Sequence, residues 1–97
     1  MYNGQKVVVC GVPYTIIEKE DSFDSDATHF GCVDYITSEI VINGKMTGAQ
    51  KRETICHEIV HAMCVHIGRG DLANDEQFVQ TMGNAIYNTF DLRIAGC

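Results

Sequence analysis

His57-Glu58-Ile59-Val60-His61 puts two imidazoles and a carboxylate within one short run. In a helix, histidines at i and i+4 share a face about one turn apart, a spacing that lets both rings reach one metal ion. Glu58 lies about 100° around such a helix from His57. It can reach a metal-bound water without ligating the metal. Two nitrogen ligands beside a general base are the parts of a zinc hydrolase. The bland alternative is a buried helix whose histidines are satisfied by ordinary polar groups. Set among Ile55, Ile59, Val60, Ala62 and Met63, such a cluster would be costly to bury without a partner, which favours the metal.

A catalytic zinc site needs a third protein ligand and an open position for water. Glu76 is the favoured candidate. It follows His61 by 15 residues, in the first turn of a second expected helix, so one helix can end, turn and return antiparallel. Gly83 lies two turns further on the same face, where a missing side chain would let the helices approach closely. Glu76 could equally serve only to complement the helix dipole, and Asp75 is the neighbouring alternative ligand. His66 projects about 140° away from His61. Cys64 lies a full turn beyond the metal position and is expected in the core. His29, ahead of a strand, reads as structural or solvated. The metzincin pattern needs a glycine and a histidine where Cys64 and Ile67 stand, which disfavours that class. His29, Tyr35 and Tyr87 are all candidates to stabilise an oxyanion.

The elements that must hold these residues follow from pattern. Thr47 with Gln50 forms a capping box, and Gly68 is the expected residue just past the helix C-terminus. The motif thus sits inside one long helix. Asn74 with Gln77 forms a second capping pattern ahead of a helix running to about Phe90, with Phe78, Val79, Met82, Ile86 and Phe90 on one face. Lys6 to Cys10, Tyr14 to Glu18, His29 to Thr37 and Ile40 to Ile42 read as strands, with a break at Gly11-Val12-Pro13, a polar stretch over Glu20 to Thr28 and a loop over Arg69 to Ala73. The order implies an α+β domain, a small mainly antiparallel sheet packed on two helices. Glu39-Ile40-Val41-Ile42-Asn43 directly precedes the motif helix. It is expected to be the sheet edge along the zinc site, where Ile40, Val41 and Ile42 would bind an extended peptide through main-chain bonds. An interior strand is the alternative.

Composition bounds the possibilities. The 97 residues fit one domain, too small for a large cleft between two lobes. A hydrophobic share of 45% fits a globular fold, and a net charge of −6 argues against a nucleic acid partner. No stretch suggests a signal peptide or a membrane span. The five cysteines, Cys10, Cys32, Cys56, Cys64 and Cys97, show no C-x-x-C spacing. They read as reduced thiols of a cytosolic protein, four of them in the core.

The segments Lys51 to Ala62 and Asp71 to Val79 resemble those of the short phage- and mobile-element-encoded relatives of the ImmA/IrrE metallopeptidases. The resemblance spans about residues 5 to 90 and is strongest in the two helices. More broadly the pattern is similar to the gluzincins, in which a glutamate from a following helix completes the ligand set. It implies a minimal zincin-like domain in which His57, His61 and Glu76 hold Zn2+ and Glu58 acts as base on a peptide bond. It also implies a restricted protein substrate, such as a mobile-element regulator. Many gluzincins carry an aspartate four residues after the ligand glutamate. Gln80 stands there, able to accept a bond from an imidazole N–H but raising its basicity less. A non-catalytic zinc-binding or interaction module, and a metal-free regulatory protein, are the competing readings.

Overall fold

The computed structural model describes residues 2–20 and 30–90. Four strands, β1 (Lys6–Val9), β2 (Val12–Lys19), β3 (Gly31–Asp34) and β4 (Glu39–Asn43), precede three helices, α1 (Gly48–His66), α2 (Gly70–Ala73) and α3 (Glu76–Thr89). The sheet order is β1-β2-β4-β3. β1 and β2 are antiparallel, as are β3 and β4, while β2 and β4 run parallel. The result is an α+β fold with a mainly antiparallel sheet.

The first hairpin turns at Cys10 and Gly11, both with positive φ (50° and 84°). That pairing is the tight two-residue turn whose twist suits antiparallel strands. The expected break at Gly11-Val12-Pro13 is therefore confined to Gly11, and Pro13 lies inside β2 opposite Val8. Pairs alternate along an antiparallel ladder, and Pro13 falls in a pair that exchanges no N–H bonds with β1. Its other side lies before β4 begins, since pairing there starts at Thr15 with Glu39.

The third strand is shorter than the expected His29 to Thr37. The Asp34 side chain accepts bonds from the N–H groups of Ile36 (3.0 Å) and Thr37 (3.1 Å). It thereby bends the chain into a turn that ends at Ser38, φ 56°. These same bonds hold the Asp34 carboxyl below the usual range. The expected stretch Glu20 to Thr28 lies, from residue 21 on, outside the described residues, as does His29.

The sheet edge is not where the sequence pattern put it. β4 is interior, paired with β2 through Ile16–Ile40 and Ile17–Val41 and with β3 through Val33–Ile40 and Cys32–Val41. Ile40 and Ile42 are completely buried and Val41 nearly so. Ile40, Val41 and Ile42 therefore have no free main-chain edge to offer a peptide. The edge beside α1 is β3, which among the described residues pairs only with β4.

α1 is the middle layer. Its Ile55, Ile59 and Ala62 pack on Tyr14, Ile16, Ile40 and Ile42 of the sheet. Its Val60 and Cys64 pack on Ala73 and Val79 of α2 and α3. Each fully buried isoleucine contributes roughly 1.5–3 kcal/mol. Two apolar faces leave one free stripe, and the motif's polar residues occupy it. The helix starts as expected: Thr47 Oγ1 accepts from Gln50 N–H, and Gln50 Oε1 accepts from Thr47 N–H. It ends at His66, followed by Ile67 and by Gly68 at φ 78°.

Two local expectations need correction. Residues Gly70–Ala73 form a helical turn rather than a loop, which tucks Ala73 against α1. Asn74 ends that turn, so the cap of α3 passes to Asp75, whose Oδ1 accepts from Phe78 N–H at 3.1 Å. On the expected apolar face of α3, Val79 is buried but Met82 and Phe90 are exposed. Of the cysteines, Cys56 and Cys64 are buried, whereas Cys10 and Cys32 are exposed, because Cys10 sits in the hairpin turn and Cys32 on the edge strand; Cys97 lies outside the described residues. Among the described residues no helix is long and apolar enough to cross a membrane.

Candidate metal centre

Gly83 brings α3 onto α1. A Cβ at Gly83 would lie 3.2 Å from His57 Cα and 3.3 Å from His57 N. The helices thus approach at the motif itself, and two turns earlier the first residue of α3, Glu76, reaches both histidines. Its Oε2 lies 3.2 Å from His57 Nε2, and its Oε1 lies 3.1 Å from His61 Nε2. The ligand atoms of His57, His61 and Glu76 all fall within 4.8 Å of one another. The two rings stand 5.0 Å apart, inclined at 64°. Ligands each about 2.1 Å from a tetrahedral ion lie about 3.4 Å apart, and two nitrogens with one carboxylate suit zinc. The donor set therefore fits the metal, with the histidines half-buried and the Glu76 side chain on the solvent side.

The neighbours sharpen this. His57 Nδ1 lies 3.0 Å from Gln80 Oε1. A carbonyl oxygen accepts, so Nδ1 carries the proton, and in a neutral ring Nε2 is left as a lone pair aimed at a carboxylate oxygen. Two electron-rich atoms 3.2 Å apart need a cation between them, a metal ion or an added proton.

Glu58 is buried, with 7% of its surface exposed. Burial, reinforced by the charge of Glu76, pushes its carboxyl up to about 7. β3 supplies the cover. A Cβ at Gly31 would stand 2.8 Å from Thr54 Cγ2, 3.0 Å from Val41 O and 3.5 Å from Glu58 Cγ. Only glycine lets the edge strand lie this close to α1. Between β3 and the helices opens a cleft of about 900 Å³, with His57, Glu58, His61 and Glu76 in its wall. Cys32 and Tyr35 border it on the strand side and Val65 on the helix side.

The other candidates separate cleanly. Asp75 spends its carboxylate on the α3 cap. Cys64 is in the core. His66 Nε2 is bonded to Tyr14 OH at 2.5 Å, on the sheet side of α1. Tyr87 meets Arg52, with its OH 3.4 Å from the guanidinium and its ring beneath it at 5.4 Å, away from the cleft. Tyr35 borders the cleft, and burial, with the nearby Tyr14, Glu58 and Cys64, pushes its phenol up to about 12, so it keeps its proton as a donor. His29 lies outside the described residues. Sequence reasoning missed Gly31 and Cys32, although a glycine inside a strand was a signal of close approach. It also missed Asn84, one turn past Gln80 on the same stripe.

Compared with protein-family models, curated proteins and solved structures, the chain matches none.

Proposed function

We propose that the protein is a zinc-dependent metallopeptidase of the ImmA/IrrE type, with His57, His61 and Glu76 as ligands and Glu58 as base. The observation that carries the reading is the Glu76 carboxylate bridging two imidazole Nε2 atoms at 3.1–3.2 Å. Zinc bound there would supply a Lewis acid for a carbonyl oxygen and a water of lowered pKa.

The chain's own groups account for the rest. Glu58, adjacent in sequence to His57 and covered by β3, takes a proton from the attacking water and delivers it to the leaving amine. A cation held by His57, His61 and Glu76 would favour the ionised form of the Glu58 carboxyl, the form that acts as a base. Tyr35 offers a phenol proton to a developing oxyanion. The role first given to Ile40–Ile42 passes to β3, which among the described residues pairs only with β4, lines the cleft and suits an extended peptide added as a further strand. Main-chain pairing would make sequence preference modest and leave selectivity to side chains such as Tyr35 and Val65. A mobile-element regulator is the class of substrate the resemblance suggests, in the cytoplasm.

Incubation of zinc-loaded protein with a mixed peptide library, followed by mass spectrometry, tests the reading. New peptide ends that appear with the parent and not with Glu58→Gln support it. Zinc binding without any cleavage would instead favour a metal-binding interaction module.

A further inference from the structure

We infer that Asn84 is a positioning residue for the metal site, acting through Gln80 to decide which ring nitrogen of His57 carries the proton; the inference rests on the metal reading above. Three residues form a chain from α3 to α1. Gln80 Nε2 donates to Asn84 Oδ1 at 3.2 Å, and Gln80 Oε1 faces His57 Nδ1 at 3.0 Å. Glu76, Gln80 and Asn84 recur every four residues, so they stand one above another on one helical face.

A glutamine amide has a donor end and an acceptor end, and nothing in its shape prefers one orientation. The two orientations have opposite consequences here. With Oε1 toward His57, Nδ1 carries the proton and Nε2 is free to ligate. With the NH2 group toward His57, Nδ1 must accept, the proton moves to Nε2, and His57 hydrogen-bonds Glu76 instead of holding a metal. Asn84 Oδ1 accepts from the Gln80 NH2 group, the pairing that goes with the first orientation, and a carboxylate at position 84, which can only accept, would hold it likewise. A carboxylate at position 80 would need no such selection, since both its oxygens accept. The amide at Gln80 therefore makes its next neighbour along α3 matter for metal binding.

Asn84 is exposed, so substitutions there leave the packing intact. Asp at this position still accepts from Gln80, whereas Leu does not. Zinc affinity is measured by chelator competition for the parent, Asn84→Asp and Asn84→Leu. The Co2+-loaded proteins are examined by proton NMR for the exchangeable His57 Nδ1–H signal, with that of His61 as internal reference. The expected result is that Asn84→Leu weakens zinc binding by about 10-fold, the low end for outer partners of a ligand. Its His57 signal should exchange faster with solvent, while Asn84→Asp behaves like the parent in both measurements. A metal-binding parent whose Asn84→Leu variant matches it in affinity and exchange overturns the inference alone. A parent that binds neither ion overturns the metal reading and the inference with it.

Discussion

Gly83 lies against the backbone of His57, closer than a side chain ordinarily allows. A Cβ there would come within 3.2 Å of His57 Cα. The closeness of α1 and α3, and with it the reach of Glu76 to both histidines, depends on this absence of a side chain. Gly83→Val should therefore destabilise the fold by about 1–3 kcal/mol, the usual penalty of overpacking. It should also weaken zinc binding, because α3 must move away from the motif. Urea unfolding of chelator-treated protein and a zinc titration check the two effects, and a variant that binds zinc as the parent does would mean that α3 approach does not set the site.

Glu58 links the site to stability. Its carboxyl is raised from the ordinary 4.5 to about 7 in the fold, so the folded protein holds this proton more tightly than the unfolded chain. The stability this contributes is present below pH 4.5 and lost as pH rises through about 7. In chelator-treated protein the loss should reach roughly 3 kcal/mol. Glu58→Gln carries no such proton, so it should be more stable than the parent at pH 8 while retaining zinc. An identical pH dependence in parent and variant would contradict the burial assigned to Glu58.

Glu76 and Asp75 are adjacent but have different tasks. Glu76→Ala should weaken zinc binding strongly with little change in stability, because the side chain is exposed. Asp75→Ala removes the α3 cap and should lower stability by about 1 kcal/mol, with zinc affinity near that of the parent. Chelator competition and thermal unfolding on both variants would show a swapped pattern if the ligand were Asp75.

A distant ion pair supplies the acid limit. Glu18 of β2 and Lys51 of α1 meet at 2.7 Å, both side chains nearly buried, and Tyr2 N–H donates to the same carboxylate at 2.6 Å. Burial works against ionisation, but the bonds from Lys51 and Tyr2 outweigh it and hold the Glu18 carboxyl down to about 2. A depressed carboxyl contributes stability above pH 4.5 that is lost as pH falls toward 2. Lys51→Met should thus begin acid unfolding at a higher pH than the parent, a difference readable by circular dichroism. Coincident acid transitions would show that the pair contributes nothing.

Much of the site was legible because its determinants are local. The capping box at Thr47 and Gln50, the stop at Gly68 and the i, i+4 histidines each concern residues within a turn or two of one another. Gly83 was legible as an approach point because glycine inside an amphipathic helix has few other uses. Strand order was not, since alternation tells which face is buried and not which neighbour is paired. Ile40, Val41 and Ile42 carried a warning: three consecutive apolar residues suit a strand covered on both faces. The end of β3 depended on a single side chain, Asp34, taking two backbone N–H groups. The Asn84–Gln80–His57 chain depends on which way one amide faces, which no sequence pattern encodes.

Elemental analysis of protein purified without chelators, parent beside a His57→Ala, His61→Ala double variant, bears most directly on the metal centre. One zinc per chain in the parent and none in the double variant is the expected result. Equal metal content in the two proteins would contradict it.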